Sequence, residues 1–295
     1  MKVRVLTGAV YTAVLVGFYL LKVLVHDLCF DALLYALALI GTFEMLRAVK
    51  EKTTKAERIL VWGYAIFALP ACALLEEFLG KGQTAMLVGG VVIAVALLSL
   101  LVIRYQETSV ESVGVALFSA VYPTLLLCLL SLVNHIPALP KFEKAGFDSN
   151  FLVLAIFTIS PIVDSGAYLF GMSLRKKFPR KFCQEISPNK TLIGAIGGIV
   201  GGVFSAGILY IVYNLTLGGF DNIALWLPVY IAIGVFGAVA TEFGDLLESA
   251  IKRKIGIKDM GNLMPGHGGI LDRIDGTMLV TLVVVMAYAL LAWAV

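Results

Sequence analysis

Charged residues are scarce in this sequence, and their scarcity limits the kinds of protein it can be. Lys, Arg, Asp and Glu make up 15% of the 295 residues, whereas 60% are apolar. A soluble domain of this length needs more polar surface than this composition supplies. An ordinary soluble protein is therefore excluded, and we expect lipid to be the main solvent.

Cysteine is also rare, and the sequence contains no nucleic-acid-binding module. Cys29, Cys72, Cys128 and Cys183 are scattered, without the spacing of a metal site or a disulfide framework. The formal net charge of +3 is small and is concentrated in a few segments, which is typical of a protein oriented among anionic lipids. We therefore predict membrane lipids as partners and no nucleic acid.

Long apolar runs are abundant. A helix needs roughly 20 apolar residues to cross a bilayer. Nine runs are suitable, and they are continuous rather than alternating, which favours helices over a β-barrel. They are Val5–Leu21, Phe30–Leu46, Ile59–Leu75, Ala85–Ile103, Val110–Leu132, Phe151–Leu174, Thr191–Leu215, Ile223–Ser249 and Met278–Val295. The predicted fold class is all-α, a polytopic transmembrane protein with about nine helices.

Basic residues are distributed unevenly among the segments between these runs. Such residues favour the cytoplasmic side of a membrane. With a cytoplasmic N-terminus, 19 of the 23 Lys and Arg residues lie on that side, and only Lys22, Lys81, Lys141 and Lys144 lie outside. A helix count wrong by one would scramble this asymmetry. It therefore supports both the count and a cytoplasmic N-terminus.

Ionisable groups inside the apolar runs indicate a division of roles along the chain. Residues 1–150 contain few of them and are predicted to be a scaffold of about five helices. Residues 151–295 are predicted to be a catalytic region of about four helices, with cytoplasmic loops 175–190 and 250–273. Glu44 is the exception in the scaffold, and Arg47 on the same helix face predicts a structural ion pair.

The seventh run begins with closely spaced glycines. Small residues allow helix backbones to approach each other in a membrane. The glycines are Gly194, Gly197, Gly198, Gly201 and Gly202. This pattern predicts close packing of the seventh helix against a neighbour.

Acidic residues occur inside the sixth and eighth runs and just before the ninth. A charge at the centre of a bilayer costs roughly 2.5–3.5 kcal/mol, so each acid needs a reason to be there. In the sixth run, Ser160, Asp164 and Tyr168 share a helix face, and Pro161 is expected to break the helix. Further on, two sets of polar residues each have helical spacing. The first is a stripe in the eighth run, made of Glu242, Asp245, Ser249 and Lys252 with Glu248 beside it. The second is the pair Asp272 and Asp275, which flanks Arg273.

The segment between these two sets of polar residues is rich in cations and glycine. Glycine exposes backbone N–H groups that can hold an anion, and Lys and Arg add positive charge. Nearby carboxylates would repel a phosphate unless a cation such as Mg²⁺ lay between them. Residues 252–269 therefore predict a metal and polyphosphate site, and His267 is interpreted as a phosphate or nucleotide contact.

These residues form a pattern that resembles the phosphatidate cytidylyltransferase (CDP-diacylglycerol synthase) family. The main match is Ser249-x-x-Lys252-Arg253, Lys258-Asp259 and Pro265-x-His267-Gly268-Gly269-x-Leu271-Asp272-Arg273-x-Asp275. Similar segments are Asp164-x-x-Ala167-Tyr168-x-x-Gly171, Ser187-Pro188-x-Lys190-Thr191 and Gly244-Asp245-Leu246-x-Glu248-Ser249. The resemblance covers about residues 155–295. Ile193 departs from it, because the family often has glutamate there.

The resemblance implies transfer of CMP from CTP to phosphatidic acid, with Mg²⁺ and, in some members, K⁺. It implies a multi-pass enzyme of a bacterial inner or cell membrane with a cytoplasmic active site, and it leaves a homodimer open. The implied catalytic residues are Asp245, Asp272, Lys252 and Arg273, with Asp245, Asp272 and Asp275 as metal ligands. The implied substrate-binding residues are Asp164, Ser187, Lys190, Glu248, Ser249, Arg253, Lys258, Asp259, His267, Gly268 and Gly269.

Two other functions are compatible with parts of the pattern. A CTP-dependent polyprenol or phytol kinase could use similar acidic and basic clusters, but it would transfer the γ-phosphate rather than CMP. Intramembrane acids and broken helices also occur in ion-coupled transporters. A transporter is less favoured, because the polar groups gather at one interface instead of spanning the bilayer.

Overall fold

The structure is a computed structural model that describes residues 2–137, 147–216, 223–266 and 268–293. Within these ranges nine helices are long and apolar enough to cross a membrane. The predicted all-α fold class and the predicted number of spans are therefore confirmed. The chain is an integral membrane protein.

The α-helices of the described ranges are α1 (Lys2–Leu24), α2 (Asp27–Ala48), α3 (Lys55–Leu79), α4 (Gly82–Ile103), α5 (Val110–Ala120), α6 (Leu126–Asn134), α7 (Ser149–Leu174), α8 (Leu192–Thr216), α9 (Ile223–Ile255) and α10 (Leu271–Trp293). The connections between the helices differ in length, and the longest described one lies between α7 and α8. A π-helical segment, Val121–Leu125, joins α5 and α6 into one span, Val110–Asn134. A 3₁₀ turn, Lys50–Lys52, precedes α3.

Three details of the predicted spans are wrong. Helix α9 continues to Ile255 rather than ending at Ser249, and α10 begins at Leu271 rather than at Met278. Hydropathy excluded the polar residues near these ends, but the backbone remains helical through them. Helix α7 also continues through Pro161. A proline removes one N–H from the ladder, and transmembrane helices tolerate that loss.

The first of two compact units comprises Met1–His135 and Ile255–Arg273. Its core surrounds α2, which packs against α3, α6 and the π-helical segment. Gly41 of α2 makes this packing close, because a Cβ there would lie 3.0 Å from Leu271 Cδ2 and 3.3 Å from Pro123 Cβ. The start of α10 therefore rests directly on α2.

A polar cluster lies at the opposite end of α2 from Arg47. His135 Nε2 lies 2.6 Å from Asp31 Oδ2, and His135 Nδ1 lies 3.2 Å from Glu77 Oε2. Ser131 donates a hydrogen bond of 2.7 Å to the other oxygen of Asp31. The imidazole of His135 thus bridges carboxylates from α2 and α3.

The second unit comprises Ile136–Lys254 and Ile274–Val295. Its helices α7 and α8 pack through glycine, as predicted. A Cβ on Gly166 would lie 2.5 Å from the carbonyl oxygen of Gly197, and one on Gly201 would lie 2.7 Å from that of Ile162. Gly207 on the same helix has nothing within 4 Å of such a Cβ. Gly207 therefore lies on a face of α8 that no described neighbour packs against closely.

The compact units do not coincide with a division at residue 150, since 255–273 belongs to the first unit. The assignment of scaffold and catalytic roles to 1–150 and 151–295 stays a prediction.

Candidate active site

A cavity of about 630 Å³ lies in the second unit, between α7, the segment that precedes α8, and α9. It brings together four of the predicted site residues, Asp164, Ser187, Lys190 and Asp245. Tyr168, Arg175, Asn189, Thr191 and Glu242 complete its polar lining. The cavity is therefore bordered by both acidic and basic side chains.

Lys190 connects the two acids of α9. Its Nζ lies 2.6 Å from Glu242 Oε2 and 2.8 Å from Asp245 Oδ2. Burial opposes the charge of this lysine, but Asp245 and then Glu242 outweigh burial and raise the pKa of Lys190 above its ordinary value. Thr191 Oγ1 accepts a hydrogen bond of 3.2 Å from Gly194 N at the start of α8, which fixes the segment carrying Lys190.

Negative charge exceeds positive charge around Asp164. Asp275, Asp245 and Glu242 all interact electrostatically with its carboxyl group, and Lys190 is the cation that opposes them. Several carboxylates grouped within apolar spans repel one another unless a cation is close. The cluster is thus suited to binding a further cation.

The donor set fits Mg²⁺ only if the substrate also contributes ligands. Among the described residues, no three His, Cys, Asp or Glu side chains are placed as a ready metal site. Mg²⁺ is, however, usually held by one or two carboxylates together with substrate phosphates. Asp164 and Asp245 both line the cavity, and Asp245 could provide such a carboxylate.

Other predicted residues of this unit lie along α9 and α10. Glu248 is fully buried, and Lys252 Nζ lies 3.3 Å from its Oε2. Asp275 accepts a hydrogen bond of 2.7 Å from Gly276 N. Ser249 is half-buried and Arg253 is exposed on the same helix as Glu248. The direct substrate role of Glu248 stays a prediction.

A second polar cavity, of about 520 Å³, lies in the first unit at residues 256–270, which we call the signature loop. Lys258, Asp259, Gly268 and Arg273 are the predicted site residues that line it. Gly268 has a φ of +86°, a conformation that few other residues adopt without strain. Two cations beside exposed loop backbone are consistent with the predicted phosphate binding. His267 lies outside the described residues.

Two carboxylates hold the signature loop in place. Asp272 Oδ2 accepts hydrogen bonds from Met260 N at 2.9 Å and Gly269 N at 2.8 Å. Glu44 of α2 accepts from Ile270 N at 3.1 Å and Leu271 N at 3.0 Å. Glu44 is 2% exposed, so backbone donors rather than bulk water stabilise its carboxylate. Its carboxylate stabilises the N-terminal end of α10, where the helix dipole favours negative charge.

The predicted ion pair between Glu44 and Arg47 is wrong, because Glu44 has a different partner. The hydrogen bonds of Glu44 go to the loop backbone, while Arg47 Nη2 lies 3.4 Å from the carbonyl oxygen of Met260. Because burying an acid is costly, the sequence predicts a partner for Glu44. The residues near Glu44 in the sequence do not indicate that this partner is the signature loop. Glu242 is part of the acidic stripe of α9, but the sequence pattern alone assigns it no role. The structure pairs it with Lys190.

Asp245 lies in the second unit and Asp272 in the first. Each has the surroundings described above. The expectation that they meet at one cation stays a prediction.

Comparison with known proteins gives consistent matches. The sequence model of the cytidylyltransferase family matches residues 2–291. The phosphatidate cytidylyltransferase of Bacillus subtilis (strain 168) is 34% identical over 284 residues, which is 95% of this chain and 94% of that protein. Proteins with the same name from Staphylococcus haemolyticus and Staphylococcus saprophyticus are 37% identical over 153 and 156 residues, respectively, each match covering 52% of this chain and 55% of theirs.

Proposed function

Because the chain belongs to the cytidylyltransferase family, we propose that it transfers CMP from CTP to phosphatidic acid, giving CDP-diacylglycerol and pyrophosphate. A phosphate oxygen of the lipid attacks the α-phosphorus of CTP. The bond between that phosphorus and the bridging oxygen of the β-phosphate breaks, and pyrophosphate leaves with the electron pair. The observation that carries the proposal is the cavity in which Lys190 lies between Glu242 and Asp245.

The chemistry requires little proton transfer. A phosphate monoester has its second pKa near 6, so the lipid oxygen is largely ionised at pH 7 without a general base. The obstacle is repulsion between two anions. Lys190 and Arg175 border the cavity and supply positive charge to phosphate oxygens. Preorganised cations of this kind stabilise the charge that develops on a leaving pyrophosphate.

We assign the acidic residues of the second unit to cation binding. Asp245 and Asp275 would hold Mg²⁺, with K⁺ as a candidate second cation, and Asp164 lines the pocket. Asp272 would hold the signature loop in its binding conformation through the N–H groups of Met260 and Gly269. A bound divalent cation would neutralise the triphosphate and align it for in-line attack. Lys252, Arg253, Lys258 and Arg273 bind phosphate groups, Glu248 supports Lys252, and Ser187, Ser249, Asp259, His267, Gly268 and Gly269 complete the substrate contacts.

The site must be reached from both water and lipid. A diacyl chain gains about 0.8 kcal/mol for each CH₂ buried in the bilayer, so the lipid substrate stays in its leaflet. CTP is polar and arrives from the aqueous side. We propose that the site faces the cytoplasm in a bacterial cell membrane, because the predicted orientation puts most Lys and Arg residues on that side. A homodimer is compatible with this arrangement.

Isotope transfer tests the proposal directly. The purified protein is incubated with phosphatidic acid, Mg²⁺ and CTP that carries label on either the α- or the γ-phosphate. We expect lipid to become labelled from α-labelled CTP alone, with one pyrophosphate released for each lipid formed. Label entering lipid from γ-labelled CTP would contradict the proposal and favour a lipid kinase.

A further inference from the structure

A groove on the first unit has the polarity of a phospholipid. Its volume is about 550 Å³, within the range of small-molecule sites. The walls are apolar side chains of α2, α3 and the signature loop, namely Leu39, Ile40, Phe43, Trp62 and Leu263. Arg47 and Asn262 are polar residues on its border.

The apolar and cationic parts of the groove lie at different heights along α2. Leu39 and Phe43 lie inside the span Asp27–Ala48, whereas Arg47 is in its last turn. A rise of about 1.5 Å per residue separates Leu39 from Arg47 by roughly 12 Å along the helix. Toward the end of the span the groove thus changes from apolar to cationic, in the same order as a lipid from its chains to its phosphate.

The charge at the border favours an anionic headgroup. Arg47 is exposed, and its guanidinium lies 5.8 Å from the centre of the Phe43 ring. Glu44 also borders the groove, but its oxygens accept the N–H groups of Ile270 and Leu271. A guanidinium can bind a phosphate through two parallel hydrogen bonds. The exposed charge of the groove is therefore positive and suited to phosphate.

We propose that this groove binds one anionic phospholipid from the adjacent leaflet. An acyl chain lies along Leu39, Ile40 and Phe43, and the phosphate contacts Arg47. Phosphatidic acid, a phosphomonoester, and phosphatidylglycerol, a phosphodiester, share the chemistry required. The lipid would contact Leu263 and so reach the signature loop. Binding itself does not depend on the proposed transferase activity.

Trp62 provides a built-in probe, because it is one of three tryptophans in the chain and lines the groove. The full-length Trp226→Phe/Trp293→Phe variant retains Trp62 as its sole tryptophan. In neutral detergent and without CTP, this variant is titrated with phosphatidic acid, phosphatidylglycerol or phosphatidylcholine carrying brominated acyl chains. Bromine quenches tryptophan fluorescence on contact, so the quenching reports occupancy of the groove even if the protein has no transferase activity.

We expect an anionic lipid to quench at about fivefold lower mole fraction than phosphatidylcholine, the effect of one basic side chain near a charged lipid. Arg47→Gln should remove this preference. Arg104→Gln, at the end of α4 and exposed like Arg47, is the matched control and should retain it. Leu263→Glu places a negative charge at an exposed position of the groove wall and should also remove the preference.

The outcomes separate clearly. Stronger quenching by phosphatidic acid identifies the groove as a holding site for the substrate lipid, and equal quenching by phosphatidylglycerol identifies a general anionic-lipid site. Equal quenching by all three lipids would overturn the inference. It would also be overturned if both Arg47→Gln and Leu263→Glu kept the anionic preference while unfolding at the parent temperature.

Discussion

The two units use their carboxylates in opposite ways. In the first unit, Glu44 and Asp272 each accept hydrogen bonds from two backbone N–H groups. In the second unit, Glu242 and Asp245 share the ammonium of Lys190 beside a cavity. Backbone donors fix a carboxylate as part of the fold, whereas a side-chain ammonium can move when a ligand enters. The comparison distinguishes acids that shape the site from acids available to bind a cation.

Replacing Asp245 by Asn tests the second kind of acid and should have the largest effect. The change removes a charged oxygen from the cavity and one partner of Lys190. Turnover should fall by about a thousandfold or more, as when a transition-state-stabilising group is lost. Incorporation of α-label into lipid measures it. Glu51→Gln, at an exposed acid of the 3₁₀ turn, should leave turnover unchanged.

Asp272→Asn sharpens the comparison. We expect turnover to be abolished here too, but with a looser signature loop, because Met260 N and Gly269 N lose an ionised acceptor. Limited trypsin digestion at Lys258 should be faster in this variant and unchanged in Asp245→Asn. Equal digestion of both variants would contradict the distinction between the two kinds of acid.

Glu44→Leu should disturb the same loop from a distance. Each buried N–H left without an acceptor costs about 1–3 kcal/mol, and Ile270 and Leu271 would both lose theirs. The unfolding temperature should fall and the KM for CTP should rise more than kcat falls. Glu44→Gln retains an amide oxygen and should recover part of both losses. A parent-like KM in folded Glu44→Leu would show that the loop does not need this carboxylate.

Gly201→Ala tests the packing that supports the acids of the second unit. The added methyl would meet the backbone oxygen of Ile162, and overpacking of this kind typically costs about 1–3 kcal/mol. Gly207→Ala, on the same helix but in open space, should be neutral. Thermal unfolding in detergent compares the two. If both variants unfolded at the same temperature, α7 and α8 would be able to accommodate the added methyl group without loss of stability.

Replacing His135 by Gln should have the smallest effect, and it should change only the stability of the protein. Burial opposes the charge of this histidine, but Asp31 and then Asp27 and Glu77 outweigh burial and raise the pKa of His135 above its ordinary value of 6.5. Because the folded pKa is raised, the stabilisation is complete below about pH 6.5 and is lost as pH rises through the folded value. The unfolding temperature of the parent should decline over this window. His135→Gln should flatten the decline and leave turnover unchanged.

Local pattern determined how much of the fold could be predicted. The nine apolar runs correspond to the nine spans found among the described residues, and the glycines of α8 form a packed face, because hydropathy and residue size act over neighbouring residues. The bonds of Glu44 to Ile270 and Leu271 join residues more than 220 positions apart in the chain. The pairing of Lys190 with Glu242 spans 52 positions. Such partners depend on tertiary packing, which neither periodicity nor composition encodes.

Binding of Mn²⁺, a paramagnetic substitute for Mg²⁺, tests the central claim most directly. Electron paramagnetic resonance is used to titrate Mn²⁺ in the presence of CTP for the parent and for Asp245→Asn. We expect the parent to bind Mn²⁺ with its nucleotide and Asp245→Asn to bind at least about tenfold more weakly, since a charged ligand is lost. Equal Mn²⁺ affinity in the two proteins would contradict the assignment of the second unit's acids to cation binding.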